Sequence, residues 1–266
     1  MVKYLVTSGC SFSDNHKSRW PHFLAEKLGL KLYNRGQGSA GNDWISMSTI
    51  YQIKLLLDEG IAPNEILTVV MWSGIGRGGI FINGETYAVD MFTHTGGAIN
   101  PISFYDSNPN EMQRPKNKGF LVGSPHCGWK DETINKIKKI YFENIYNSEW
   151  QIITSLNYWL QLQWFCKSYN IKLFNMTYSN IFMHPWYGWD TYNKEAKPFF
   201  ETYKDSTKYL FDMLDIKKWW FDNDRYDGMY EWMRRKNYTS YDDGMHPSVE
   251  THEKFTEEVL LNFVAG

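Results

Sequence analysis

The chain has 266 residues, a formal net charge of −2, and 42% hydrophobic and 17% aromatic residues. That length suits one large domain or two small ones and typically buries roughly 70–75% of the unfolded surface. The near-neutral charge argues against a nucleic-acid binder, which carries a basic field. Cys10, Cys127 and Cys166 are odd in number and widely spaced, so they suggest neither a disulfide framework nor a zinc pattern. With no signal peptide, membrane-length apolar run, heptad or repeat, the expectation is a protein that is soluble and intracellular at synthesis.

The first element is a short apolar run at residues 4–6, the length of a buried strand. It stops in Ser8-Gly9-Cys10-Ser11. A strand ending in Gly-x-Ser turns sharply and can present a hydroxyl at the carboxyl edge of a sheet, where ligands bind in open α/β folds. An ordinary strand-to-loop turn is the plainer reading. Pro21 and Gly29 punctuate a helix whose apolar face holds Phe23, Leu24 and Leu28. A second strand over 30–33 runs into the small-residue loop Asn34-Arg35-Gly36-Gln37-Gly38-Ser39-Ala40-Gly41-Asn42. A helix is expected over 43–59, and then a third strand over 66–71 that also ends in small residues, Trp72-Ser73-Gly74-Ile75-Gly76.

This alternation predicts a parallel sheet with crossover helices. Loops that follow parallel strands lie on one edge, so the three small-residue loops should converge on one crevice. From 78 to about 128 the alternation lapses into an irregular insertion, with a hairpin expected around Asn83-Gly84. The insertion is expected to belong to a single domain spanning 1–266, where it covers the crevice or forms a homo-oligomer contact. Helix follows over roughly 131–169, interrupted near Asn147, with Ile152, Ile153, Leu156, Trp159 and Leu160 on its buried face. A fourth strand covers 171–176, His184 lies in the loop after it, and residues 198–214 read as helix. Ser248 can cap a final helix carrying Phe255, Val259, Leu260 and Phe263.

The chemistry sits at the two ends of the chain. Asp243-Gly244-Met245-His246 places a carboxylate beside an imidazole before the last helix. A carboxylate that accepts from Nδ1–H fixes the tautomer and leaves Nε2 to take a serine proton. Alone, Asp-Gly is a turn signal and a single histidine is usually structural; with Gly9-x-Ser11 the pair reads as a catalytic set. His16 and His252 are weaker candidates, having no Asp in a comparable turn. His184 would line the crevice. No pair of histidines has metal-ligand spacing, so no metal and no cofactor are expected.

These blocks resemble those of the SGNH (GDSL-type) hydrolase superfamily. Gly9-Cys10-Ser11 matches the Gly-Asp-Ser block, residues 34–42 match the glycine-bearing second block, and Asp243 to His246 match Asp-x-x-His. The resemblance spans nearly the whole chain and implies a three-layer α/β/α, flavodoxin-like parallel sheet. It makes Ser11 the nucleophile, His246 the base and Asp243 its orienter. The Ser11 N–H, with that of Gly38 or Ser39, would form part of the oxyanion hole. Two departures stand out. Cys10 replaces the Asp of the first block, and Trp72-Ser73-Gly74-Ile75 stands where the family has Gly-x-Asn-Asp. The family's side-chain oxyanion donor is therefore absent, with Ser73 Oγ or the Asn42 side chain as replacements beside Gly74. Losing such a donor costs about 10²–10³ in rate. The Trp-Ser-Gly block looks similar to that of some phage-borne members.

Residues 36–41 also form a G-x-G-x-x-G, but the next strand ends at Trp72-Ser73 without the acid that a dinucleotide ribose needs. The resemblance implies a serine esterase acting on a small-molecule or carbohydrate ester, the carbohydrate resting on aromatic runs such as Trp186-Tyr187-Gly188-Trp189 and Trp219-Trp220-Phe221. Loop packing is the other explanation for those runs. The alternatives in function are acyl transfer by the same machinery, or a binding protein on a decayed scaffold. Neither nucleic acid nor membrane is expected as a partner.

Overall fold

The computed structural model describes residues 1–14, 16–38, 40–83, 91–92, 98–99, 118–123, 136, 139–140, 143–144, 147–183, 197–241 and 243–265. In chain order these form β1 (Tyr4–Ser8), α1 (Trp20–Leu28), β2 (Lys31–Asn34), α2 (Asn42–Asp58), β3 (Ile66–Trp72) and β4 (Gly78–Asn83). Next come β5 (Met91–Phe92), β6 (Ala98–Ile99), β7 (Lys118–Gly123), α3 (Ser148–Ser168) and β8 (Lys172–Thr177). The rest is α4 (Phe199–Thr202), α5 (Lys204–Phe211), β9 (Trp219–Trp220), α6 (Met229–Arg235) and α7 (Val249–Phe255). A π turn, Thr256–Leu260, carries α7 into α8 (Leu261–Ala265).

β3 is buried at every position from Ile66 to Trp72. A run apolar on both faces is what a central parallel strand requires, because helices cover both sides of the sheet. β1 pairs in parallel with β2 on one side and β3 on the other, β3 pairs with β8, and β8 with β9. The order β2-β1-β3-β8-β9 is the flavodoxin-like 2-1-3-4-5 arrangement. α2 packs on α3 and α1 on α7, and the helices with the sheet make a three-layer α/β/α fold. Successive strands are added to one side of β1 up to β2 and to its other side from β3 onward, so the loops following β1 and β3 flank the topological switch point where α/β sheets bind ligands.

The sequence reading missed β9. It is two residues long, Trp219 and Trp220 opposite Asn175 and Met176, too short to show a period. It also missed α6. The helix expected over 198–214 is split at Tyr203 into α4 and α5. The interruption near Asn147 is a helix start: its side chain accepts from Trp150 N–H at 2.9 Å. Ser248 caps α7, accepting from Thr251 N–H at 3.2 Å. Of the hairpin expected around Asn83-Gly84, only the first arm is described, and its antiparallel partner is the distant β7.

Trp219 packs edge-on to Trp159 at 5.2 Å and to Phe182 at 5.5 Å, inside a cluster that also takes in Phe199, Phe211 and Phe221. These rings fill the core beside β8, each large buried side chain contributing about 1.5–3 kcal/mol. Trp219 and Phe221 therefore follow the packing explanation; the aromatic run at 186–189 lies outside the described residues. No helix among the described residues is long and apolar enough to cross a membrane.

Candidate active site

The loop after β1 is a tight turn closed by Ser13 N–H donating to Cys10 O at 2.8 Å. Cys10, Phe12 and Ser13 are buried, and Ser11 alone among them is partly exposed. The small residues before it have a steric reason. A Cβ on Gly9 would lie 2.4 Å from Ser13 Oγ and 2.9 Å from Met71 O, so only glycine lets β1 turn against β3 here. Ser13 is itself fixed, accepting from Trp20 Nε1–H at 2.9 Å.

The other half of the site is a narrow hairpin over 239–248. Ser240 and Pro247 form an antiparallel bridge, Tyr241 N–H donates to His246 O at 2.8 Å, and Ser248 N–H donates to Thr239 O at 3.1 Å. Gly244 takes the left-handed conformation at the tip, with φ of 69°, which favours glycine. Asp243 Oδ1 accepts the backbone N–H groups of Met245 at 2.8 Å and His246 at 2.9 Å. Its Oδ2 accepts from His246 Nδ1. With that ring proton committed, Nε2 is the acceptor for Ser11 Oγ–H, at 2.7 Å. Partial burial pushes the Asp243 carboxyl upward. The Met245 N–H, the imidazole and the His246 N–H outweigh it, so its pKa is lowered and it stays ionised. Phe12 packs its ring 5.3 Å from that of His246.

The β2 loop is stitched to the nucleophile loop by Asn34. Its Nδ2 donates to Ser13 O at 2.9 Å and Asp14 O at 3.0 Å, while Oδ1 accepts from Thr7 Oγ1 at 2.9 Å and Gly36 N–H at 2.8 Å. Gly36 presses against the same place: a Cβ there would fall 1.9 Å from Ser13 O. Gln37 N–H donates to Gly9 O at 2.9 Å, and Ala40 N–H closes the next turn on Gln37 O at 3.1 Å. Gly38 occupies a corner of that turn. Its N–H has no acceptor among the described residues, as an oxyanion donor requires in the free protein. Ser39, the alternative donor, lies outside the described residues. In the sequence Asn34 only opens the second block; its place at a strand end beside glycines is the signal for this bridging role.

The third loop is anchored through Asn42. Asn42, at the first turn of α2, accepts from Ser73 N–H on Oδ1 at 2.9 Å and donates through Nδ2 to Ser155 Oγ at 3.1 Å. Ser73 has no exposed surface, and its Oγ accepts from Arg77 Nη1 at 3.2 Å. The Asn42 amide is bonded inside the protein and holds the β3 loop to α2 and α3, while Ser73 is fully buried with Arg77 donating to it. Gly74 is buried against Tyr178, whose hydroxyl would lie 3.2 Å from a Cβ there. Tyr178 packs edge-on to Phe12 at 5.3 Å, and burial pushes its phenol up to about 12.

The site thus brings together Ser11, His246, Asp243 and the Gly38 loop, with Asn42, Ser73 and Gly74 behind them. His184 lies outside the described residues. His252 is fully buried on α7, and burial first, then Arg19 and His246, lower its pKa well below the usual imidazole range. Among the described residues no three His, Cys, Asp or Glu side chains gather as a metal site needs. No protein-family model and no curated protein matches this sequence.

Proposed function

We propose that the protein is a serine ester hydrolase of the SGNH type, cleaving a small acyl group from a polar alcohol. The observation that carries this reading is the hydrogen-bonded chain Ser11 Oγ–His246 Nε2, His246 Nδ1–Asp243 Oδ2, drawn from opposite ends of the sequence onto the carboxyl edge of the sheet. In the acylation step Ser11 Oγ attacks the ester carbonyl as its proton passes to His246 Nε2. The imidazolium that forms is stabilised by ionised Asp243. The carbonyl oxygen, now negative, accepts from the N–H groups of Ser11 and Gly38. His246 then gives its proton to the departing alcohol. A water molecule repeats the sequence on the acyl-serine, with His246 again as base, and releases the acid.

The substrate's alcohol is the less defined half. Trp219 is buried and Phe221 half-buried against the core, so that run does not argue for a carbohydrate, and a small polar ester is the class proposed. A second reading has one specific observation behind it. The Asn42 amide is bonded internally to Ser73 N–H and Ser155 Oγ, which takes one side-chain donor from the hole and favours a weak catalyst or a binding protein on this scaffold. Turnover of a p-nitrophenyl ester panel by the parent, set against Ser11→Ala, separates the two. Serine-dependent turnover supports the hydrolase; equal rates for parent and variant reject it.

A further inference from the structure

Arg19 is the last residue before α1, and its guanidinium is engaged on three sides. Nε donates to Asp14 Oδ1 at 3.1 Å, Nη1 donates to His252 Nε2 at 3.3 Å, and Cζ sits 5.3 Å from the centre of the Tyr241 ring. The three partners belong to three segments. Asp14 is on the β1 loop three residues after Ser11, Tyr241 is on the hairpin that carries Asp243 and His246, and His252 is on α7. The Tyr241 N–H donates to His246 O, so the stacked ring is one hydrogen bond from the base. With its side chain only 13% exposed, Arg19 is held where solvent screens these contacts little.

His252 explains what its position is for. Its Nε2 accepts from Arg19, so the ring proton is on Nδ1, and that buried atom has no partner among the described residues. An unpaired buried donor is destabilising, and an apolar residue would avoid it. What the imidazole supplies in exchange is a neutral acceptor for a guanidinium, at a spot where Glu or Asp would be buried and charged. A planar fork with several donors suits such divided bonding, and a lysine ammonium does not.

We propose that Arg19 is the positioning residue that sets the Ser11–His246 separation, tying the nucleophile's loop to the base's hairpin and both to α7. This rests on the hydrolase reading. Both reacting groups sit on connecting segments and not inside a strand or helix, and such segments are the more mobile parts of a fold. A displacement of about 1 Å at the reacting atoms can cost on the order of 10² in rate, so a tie of this kind has a measurable effect.

The test uses the full chain, with parent, Arg19→Met, Arg19→Lys, Asp14→Asn and Ser11→Ala compared on p-nitrophenyl acetate. The readings are kcat and KM separately, the rate at which a fluorophosphonate labels Ser11, and a thermal melt to establish folding. Folded Arg19→Met is expected to lose about 10²-fold in kcat and in labelling rate, with KM within about threefold of the parent. Arg19→Lys should recover part of that loss, since it retains the Asp14 pairing but not the fork. Parent-like kcat and labelling in folded Arg19→Met overturn the proposal, as does a rise in KM alone, which would make Arg19 a substrate-binding group. If Arg19→Met does not fold, Asp14→Asn decides: about tenfold lower kcat at unchanged KM supports the tie, and parent-like kcat overturns it. Turnover that survives Ser11→Ala rejects the hydrolase reading and this inference with it; a dead Ser11→Ala beside a parent-like Arg19→Met rejects the inference alone.

Discussion

Ser11 Oγ and His246 Nε2 stand 2.7 Å apart across 235 positions of sequence. Asp243, three residues before the imidazole, holds the far side of the ring. If the three act as one unit, their removal is non-additive. Ser11→Ala and His246→Ala should each abolish most turnover, and the double variant should lose little more. Asp243→Asn is expected to lower kcat on the order of 10⁴, because an amide leaves the imidazole in the wrong tautomer. Steady-state rates on one ester settle it, and additive losses from Ser11 and His246 would break the unit apart.

Asn42 tests the third loop. As an internal brace between Ser73 and Ser155, its replacement by alanine leaves a buried N–H without an acceptor, and stability should fall by about 1–3 kcal/mol. Its effect on kcat should stay within about tenfold, well below the 10²–10³ expected of a side-chain oxyanion donor. Denaturant unfolding and kcat measured on the same preparation separate the roles. A large kcat loss at parent stability would restore Asn42 to the oxyanion hole.

Gly36 is a steric requirement. With Ser13 O 1.9 Å from where a Cβ would sit, Gly36→Ala must push the β2 loop off the nucleophile loop. The expected cost is about 1–3 kcal/mol of stability, together with a fall in kcat. Gly60→Ala is a useful contrast: φ is 83°, but nothing lies within 4 Å of the added carbon. Its strain stays local, so kcat should be that of the parent. Equal kcat losses in the two variants would remove the steric argument.

His252 makes stability fall in acid. Its native pKa lies well below the ordinary imidazole value of 6.5 because of burial, Arg19 and His246. Below that value the unfolded chain binds a proton that the native protein refuses, so stability drops as pH falls from about 6.5 toward the native pKa. His252→Gln keeps an acceptor for Arg19 and does not titrate, so unfolding free energies from pH 7 to 5 should show a shallower decline. A slope identical to the parent's would contradict this.

Glu231 works in the opposite direction. It accepts from Ser179 Oγ–H at 2.7 Å and Gly228 N–H at 3.0 Å, yet burial raises its carboxyl from 4.5 to about 7. Between those values the native protein holds a proton that the unfolded chain has released, so stability declines as pH rises through the window. The total is on the order of 3 kcal/mol. Glu231→Gln should flatten that decline, as measured by denaturant titrations at pH 5 and 8; an unchanged difference between the two pH values would refute it.

The sequence alone determined what depends on neighbours along the chain. The largely apolar run of β3, the small-residue stops after β1, β2 and β3, the cap at Ser248, and the Asp243-to-His246 turn are local patterns of size, periodicity and hydrogen bonding. Local patterns survive translation into structure because each acts within a few residues. The alternation of strand and helix even implied that the loops share one edge, since parallel strands admit no other arrangement. Tertiary structure decided everything that turns on a distant partner. Asn42 looks like a free donor in sequence, but Ser155, more than a hundred residues away, accepts from its amide, and Ser73 is buried with Arg77 donating to it. β9 exists only because Asn175 and Met176 offer two residues' worth of ladder, and Trp219 is core only because Trp159 and Phe182 meet it there. His252 and Arg19 carry no motif at all; their pairing follows from α7 lying against α1, a packing that no local pattern encodes.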